Sequence, residues 1–306
     1  MNTDFLPNLF ILGAAKSGTT TLHTYLAETP DVCMSHPKEP FFFECEYHLG
    51  IDYYRRTYFA HWKGERVIGE ARHRNLFLPY VPERVRAFNP EAKLLVVLRN
   101  PVERAYSHWW HWYFHGREKL DFRAALEADL ERIQKGLRCD TPEEIEGHCR
   151  NLGYDGYDSH GFGTYRTYVD SGYYLEQIQR YLKLFPREQM KIILFEDLVK
   201  EPRRAMSEVS DFLGVENLTA REGFRPKVEN VKETRLFRKV SKIYEAARMR
   251  SFLPEWLRKW GRRAIDRLNP DPGIDPETRA WLKGHYRPYN EALASFLDRD
   301  LSSWDR

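Results

Sequence analysis

The sequence predicts an α/β fold, a parallel sheet flanked by helices, with a P-loop-like, phosphate-cradling turn after its first strand. Three observations carry this expectation. Short apolar runs alternate with amphipathic stretches along the 306 residues, the pattern of strands joined by helices. The run KLLVVLR at 93–99 is apolar between its charged ends, as expected of a strand buried on both faces. The stretch FILGAAKSGTTTLHTYL at 10–26 passes from an apolar run through two glycines into a helix-like run.

In chain order, LFILGAA (9–15) reads as a buried strand and TTTLHTYLAET as the helix after it. RVIGEA (66–71) is a second strand, and PYVPERVRAFN (79–89) a helix. The strand at 93–99 ends at Arg99-Asn100-Pro101, and Pro101 suits the first turn of a helix running through Trp112. Phe122 to Gln134 is helical and charged, and KIILFEDL (191–198) reads as a fourth strand. The C-terminal third, rich in Arg, Lys and Trp, reads as helices outside the sheet. One domain over 1–306 is expected. Gly, Tyr, Asp and Arg crowd into a segment at about 137–171, where a flap over the site is expected.

Composition narrows the function classes. Hydrophobic residues at 42% and charged residues at 30% are those of a soluble globular protein. A net charge of +3 makes no case for a nucleic-acid partner, yet allows a local basic cleft for an anion. No stretch of about 20 apolar residues is present, so no integral membrane segment is expected. Cys33, Cys45, Cys139 and Cys149 form no CxxC pair. They suit a reducing compartment, and a cytoplasmic location is expected.

The turn Gly13-Ala14-Ala15-Lys16-Ser17-Gly18-Thr19-Thr20 carries the chemistry. A strand, a tight turn and a helix N-terminus aim free backbone N–H groups and the helix dipole at an anion. Small residues let backbone approach a phosphate, and the hydroxyls of Ser17, Thr19, Thr20 and Thr21 add donors. A Walker A loop has its lysine directly after the last glycine. Here Lys16 precedes Gly18 by two residues, which disfavours an ordinary NTPase. His108, His111 and His115 share one helix face, but the interleaved Trp109, Trp110 and Trp112 favour a packed aromatic helix, and no metal site is assigned.

Lys16-Ser17-Gly18-Thr19-Thr20 resembles the 5′-phosphosulfate loop of sulfotransferases that use 3′-phosphoadenosine 5′-phosphosulfate (PAPS). VVLRNPVERAYSHW (96–109) is similar to that family's 3′-phosphate motif, with Arg99 and Ser107 at its two binding positions. HPKEPFFFE (36–44) resembles the stretch of the carbohydrate (heparan-sulfate-type) branch that carries the catalytic base, here Glu39. The C-terminal GIDPETRAWLKGHYRPYNEALASFL (273–297) resembles the family's closing helix. Gly69-Glu70-Ala71-Arg72-His73-Arg74 departs from the family pattern, and its extra charge implies an altered acceptor or cofactor edge.

The resemblance implies sulfuryl transfer from PAPS, leaving 3′-phosphoadenosine 5′-phosphate (PAP), to a hydroxyl or amine of a carbohydrate or small-molecule acceptor. Glu39 is expected as base, with the Pro40-Phe41-Phe42-Phe43 wall raising its pKa, and His36 and His73 as alternatives. Lys16 would stabilise the leaving phosphate, and no metal would be required. Ser17, Gly18, Thr19, Thr20, Thr21, Arg99 and Ser107 would bind the cofactor, with Lys232 or Arg235 covering the 3′-phosphate. Lys38, Arg72 and His73 would meet the acceptor, Lys38 being equally placed for an ion pair with Glu39. The alternatives are a P-loop-like nucleotide kinase or NTPase, and a non-catalytic PAP-binding protein.

Overall fold

A computed structural model describes residues 5–114, 118–136, 141, 143–144, 166–217 and 273–305. Its strands are β1 (Leu9–Gly13), β2 (Val32–Met34), β3 (Val67–Ala71), β4 (Lys93–Leu98) and β5 (Met190–Leu194). Its helices are α1 (Thr19–Ala27), α2 (Gly50–Tyr58), α3 (Arg74–Phe77), α4 (Val81–Phe88) and α5 (Pro101–Phe114). They continue as α6 (Phe122–Gln134), α7 (Tyr174–Leu182), α8 (Phe195–Lys200), α9 (Pro202–Leu213) and α10 (Pro276–Leu297). The strands form one parallel sheet in the order β2-β3-β1-β4-β5.

Side-chain alternation on β1 and β4 explains their continuous apolar sequence. Phe10, Leu12, Leu94, Val96 and Leu98 pack into the core on one face. Leu9, Ile11, Leu95 and Val97 pack into a second core on the other. Both faces are therefore covered, and the expected parallel α/β architecture is the one observed. The aromatic run after Glu39 feeds the first core: Phe42 stacks on Tyr54 at 4.1 Å between centroids, and Phe43 meets Phe10 edge-on at 5.2 Å.

The sheet order places a switch point between β1 and β4. From β1 the chain moves toward β2 at one edge, and from β4 toward β5 at the other. A ligand crevice opens at such a point, at the carboxyl ends of the strands. The loop carrying Lys16 leaves β1 there, and Arg99 leaves β4 beside it.

Two expectations are corrected. The short edge strand β2 was not foreseen, because three residues (Val-Cys-Met) give too little periodicity to read. The fourth strand was expected to reach Leu198 but stops at Leu194, where α8 begins. Glu196 and Asp197 fall in the first turn of that helix, where the dipole favours acids. The turn matters for the loop: a Cβ on Gly18 would lie 2.9 Å from the Phe195 ring. Of the C-terminal helices, α10 is described; its cap is Asp275, which accepts from the Thr278 N–H at 2.8 Å. The expected contacts from Lys232 and Arg235, and most of the 137–171 segment, lie outside the described residues, as do Cys139, Cys149 and His115.

Gly18 has φ +89° as well as this close ring contact. Gly18→Ala is expected to lower unfolding stability by about 1–2 kcal/mol from the backbone alone, with a further loss from the clash. Urea denaturation at constant m-value is the check.

Candidate active site

The loop after β1 is built as an anion cradle. Gly18 precedes α1 in a left-handed conformation, and no side chain caps the helix N-terminus. Its first N–H groups are thus left for a ligand. The Ser17 hydroxyl is fully buried and has no hydrogen-bond partner. An orphaned buried donor at a helix N-terminus, beside backbone that tolerates no Cβ, fits a phosphosulfate group. Lys16 itself has φ +63°. A lysine in this region costs about 1–2 kcal/mol and persists only where its surroundings hold it. One such hold is Arg99, whose Nη1 donates to the Lys16 carbonyl at 3.0 Å. The guanidinium of Arg99 also lies over the Phe195 ring at 4.9 Å.

Ala14, Lys16, Gly18, Thr19 and Thr20 line a cavity of about 360 Å³. Glu39, Arg72 and His73 line the same cavity. The cavity thus joins the phosphate loop to the expected base. Ser107 is half-buried on α5, and Thr21 is half-buried on α1 outside the cavity wall. His36 is exposed, its ring 6.3 Å from that of His61, and it does not line the cavity.

Glu39 sits where two segments meet. Its φ of +69° turns the chain after Pro37-Lys38. One carboxylate oxygen takes the Lys38 ammonium at 2.5 Å. The other faces His73 Nδ1 at 2.8 Å and Arg72 Nη1 at 3.4 Å. Burial pushes this carboxyl up, but His73, Lys38 and Arg72 outweigh burial and hold it well below the usual carboxylate range. The expected rise from the aromatic wall is therefore corrected. Phe42 and Phe43 turn into the core, and three cationic or donor groups surround the carboxylate instead. An ionised carboxylate only accepts, so His73 Nδ1 carries the hydrogen and its Nε2 is the basic nitrogen. Burial lowers the His73 pKa below its ordinary value, against the pull of Glu39.

Lys16 is perturbed as well. Burial first, then Arg99, bring its ammonium down to about 8, with Glu39 opposing. Glu70, at the end of β3, bonds Tyr54 and Asn75 and does not line the cavity.

Sequence reasoning missed Glu44. It is fully buried, accepts from Arg72 Nε at 2.9 Å, and pairs with Arg74 Nε at 3.0 Å. The signal lay in the glutamate that closes the aromatic run, opposite two arginines after the second strand. Also missed were Phe77, Thr167, Ser171 and Gln177 in the cavity wall. Thr167 and Ser171 belong to the segment returning from 137–165, which is tied down on several sides. Glu118 bonds Arg166 and the Tyr168 hydroxyl, Asp129 accepts from the Val169 N–H at 2.7 Å, and Tyr286 donates to the Val169 carbonyl at 2.7 Å.

A sulfotransferase domain family model matches residues 6–251. The chain belongs to the sulfotransferase domain family. It is 27% identical over 322 residues to human bifunctional heparan sulfate N-deacetylase/N-sulfotransferase 3, covering 99% of this chain and 31% of that protein. It is 28% identical over 302 residues to mouse heparan sulfate glucosamine 3-O-sulfotransferase 3B1, covering 98% of this chain and 65% of that protein. The chain thus spans under two thirds of the length of these curated relatives. A crystal structure of a sulfotransferase from Alicyclobacillus acidocaldarius superposes with a TM-score of 0.67 at 28% identity, covering 99% of this chain and 100% of that one. The sulfotransferase family uses PAPS, and the loop after β1 has the features that such a donor needs. Among the described residues, no helix is long and apolar enough to cross a membrane.

Glu44→Gln leaves Arg72 and Arg74 buried without their shared carboxylate. A loss of about 3–5 kcal/mol in unfolding free energy is expected. Chemical denaturation beside the wild type measures it.

Proposed function

We propose that this chain transfers a sulfuryl group from PAPS to a hydroxyl or amine of a carbohydrate or small-molecule acceptor. The observation that carries the reading is one cavity lined by Lys16 of the phosphate loop and by the hydrogen-bonded Glu39–His73 pair. When bound, PAPS supplies the sulfuryl group and leaves as PAP. Ser17, Thr19, Thr20 and the N–H groups of α1 would hold its 5′ end, and Arg99 with Ser107 its 3′-phosphate. Lys16 would place positive charge where the leaving oxygen becomes negative. Membership of the sulfotransferase family favours this reading over the kinase alternative.

An acceptor hydroxyl needs a base as it attacks. Glu39 remains at the centre of this step, and His73 joins it. His73 Nε2 accepts the acceptor's proton, while the Glu39 carboxylate fixes the tautomer through Nδ1 and stabilises the resulting imidazolium. The same division of labour holds in other carboxylate–histidine pairs. Lys38 and Arg72 keep Glu39 ionised, so it stays available for that role. A cytoplasmic setting belongs to the reading, supported by the free buried thiols of Cys33 and Cys45.

Glu39→Gln and His73→Gln should each lower turnover by about two or more orders of magnitude while PAP affinity stays nearly unchanged. Single-turnover transfer from labelled PAPS, beside calorimetry with PAP, separates the two quantities. Near wild-type transfer by both variants would remove the pair from the mechanism.

The pH profile has a defined sign. His73 is lowered below 6.5, so the neutral, base-competent ring prevails above that pH and kcat/KM falls on the acid side. Lys16 loses its proton near 8, so kcat/KM also falls as pH rises through about 8. Lys16→Arg keeps its charge at high pH. Its profile, however much lower in rate, should lose the alkaline limb; retention of that limb would assign it to another group.

A further inference from the structure

The cavity that holds the Glu39–His73 pair also has an aromatic lining. Phe41, Phe77, Trp112, His108 and His111 contribute to it, with Thr167, Ser171 and Gln177 as polar lining residues. The cationic heads nearby are already engaged by carboxylates. Arg72 and Arg74 share Glu44, and their side chains are 6% and 9% exposed. Arg72 and Lys38 share Glu39, and the Arg72 guanidinium is covered by the Phe41 ring at 4.2 Å. Lys16 belongs to the phosphate loop, where the donor would sit. An acceptor carboxylate or sulfate entering here would lose its water and meet guanidinium groups that already have anions.

His108 supplies a different kind of contact. It is 8% exposed, and its Nδ1 has no hydrogen-bond partner. Burial first, then the Arg104 guanidinium, holds this imidazole well below its ordinary pKa, so it is neutral near pH 7. One nitrogen of a neutral imidazole donates and the other accepts, so either can take one hydrogen bond with a hydroxyl, which both donates and accepts. A buried polar atom left without a partner is a cost that a bound hydroxyl would relieve. Aromatic rings lining the same cavity suit the flat apolar face of a sugar or an aromatic ring.

We propose that the acceptor is an uncharged, hydroxyl-bearing compound with a flat apolar face, such as a neutral glycoside, bound against Phe41, Phe77 and Trp112 with a hydroxyl on His108. The inference rests on the sulfotransferase reading and narrows it. It sets this chain apart from the two relatives above, whose names specify heparan sulfate, a polyanion.

Two probes that differ in one group test it on the whole chain saturated with PAP. Calorimetry with 4-nitrophenyl β-D-glucopyranoside is compared with the matching glucuronide, which carries a carboxylate in place of the hydroxymethyl group. The glucoside should bind at least about tenfold more tightly, the scale of about one 1.4 kcal/mol step. His108→Phe keeps a ring against Tyr168 and removes both nitrogens; it should weaken the glucoside about tenfold and leave PAP affinity unchanged. His108→Asn, which restores a polar atom, should recover most of the loss. Equal or tighter binding of the glucuronide, or binding of neither probe, overturns the proposal. An unaltered glucoside affinity in a folded His108→Phe chain also overturns it, by removing His108 from the acceptor site. A failure of PAP itself to bind would instead strike the donor assignment, and this inference would fall with it.

Discussion

The parallel pairing of β1 with β4 is the constraint from which the rest of the site follows. Leu9 to Leu12 and Leu94 to Leu98 are fully buried, alternating between two packed cores, so a slip by one residue would misfit close-packed side chains on both faces. The register fixes where each strand ends, and the chemistry begins at those ends. Lys16 leaves one strand, Arg99 leaves the other, and hydrogen bonds from Arg99 Nη1 to the Lys16 carbonyl and from the Ala14 N–H to the Val97 carbonyl join the two exits. The neighbouring β3 delivers Arg72 and His73 to the same edge. The Arg72 N–H bonds the Ile11 carbonyl at 3.1 Å, which carries the β1–β3 pairing up to the cavity.

Charge is arranged around that edge so that few groups are idle. Glu44 is buried with two arginines, and Glu39 is shared among Lys38, Arg72 and His73. A buried ion pair is weak evidence of stability in its own right. Its effect here is geometric: Arg72 is gripped by Glu44 from behind, so it can steady Glu39 in front. Glu39 in turn orients His73, whose backbone carbonyl lies only 2.8 Å from where a Cβ on Gly13 would be. His73 is therefore positioned by the end of β1 as well as by its own segment.

Much of this was legible in the sequence. The strands at 9–15, 66–71 and 93–99 could be read because burial on both faces makes a strand apolar throughout. The Lys-Ser-Gly-Thr-Thr turn could be read because an anion cradle demands small residues and hydroxyls at one spot. Other features were hidden for physical reasons. The end of β5 is hidden because the apolar run Ile-Ile-Leu continues without a break into Phe195, the first residue of α8. The low pKa of Glu39 depends on His73 and Arg72, over thirty positions away, whereas the adjacent phenylalanines suggested the opposite shift. Glu44 was quoted as the end of a motif, but its partnership with Arg72 and Arg74 exists only in three dimensions. His108 and His111 looked like metal ligands or packing because helix periodicity shows which residues share a face, not what that face meets.

Lys16 shows what the site costs the fold. Its pKa lies near 8, below the usual lysine value, so the folded chain holds this proton less well than the unfolded chain does. The sign follows from linkage: below about 8 the buried ammonium disfavours the folded state, and the penalty is relieved as pH rises from there toward the unfolded value. Arg99 adds to it by repulsion, and the left-handed backbone at Lys16 adds strain. An anion seated on the loop would offset both the burial of the ammonium and its repulsion by Arg99, because it would meet the ammonium and the guanidinium at once. The orphaned Ser17 hydroxyl, the uncapped α1 and the depressed Lys16 would then all be relieved by one bound anion.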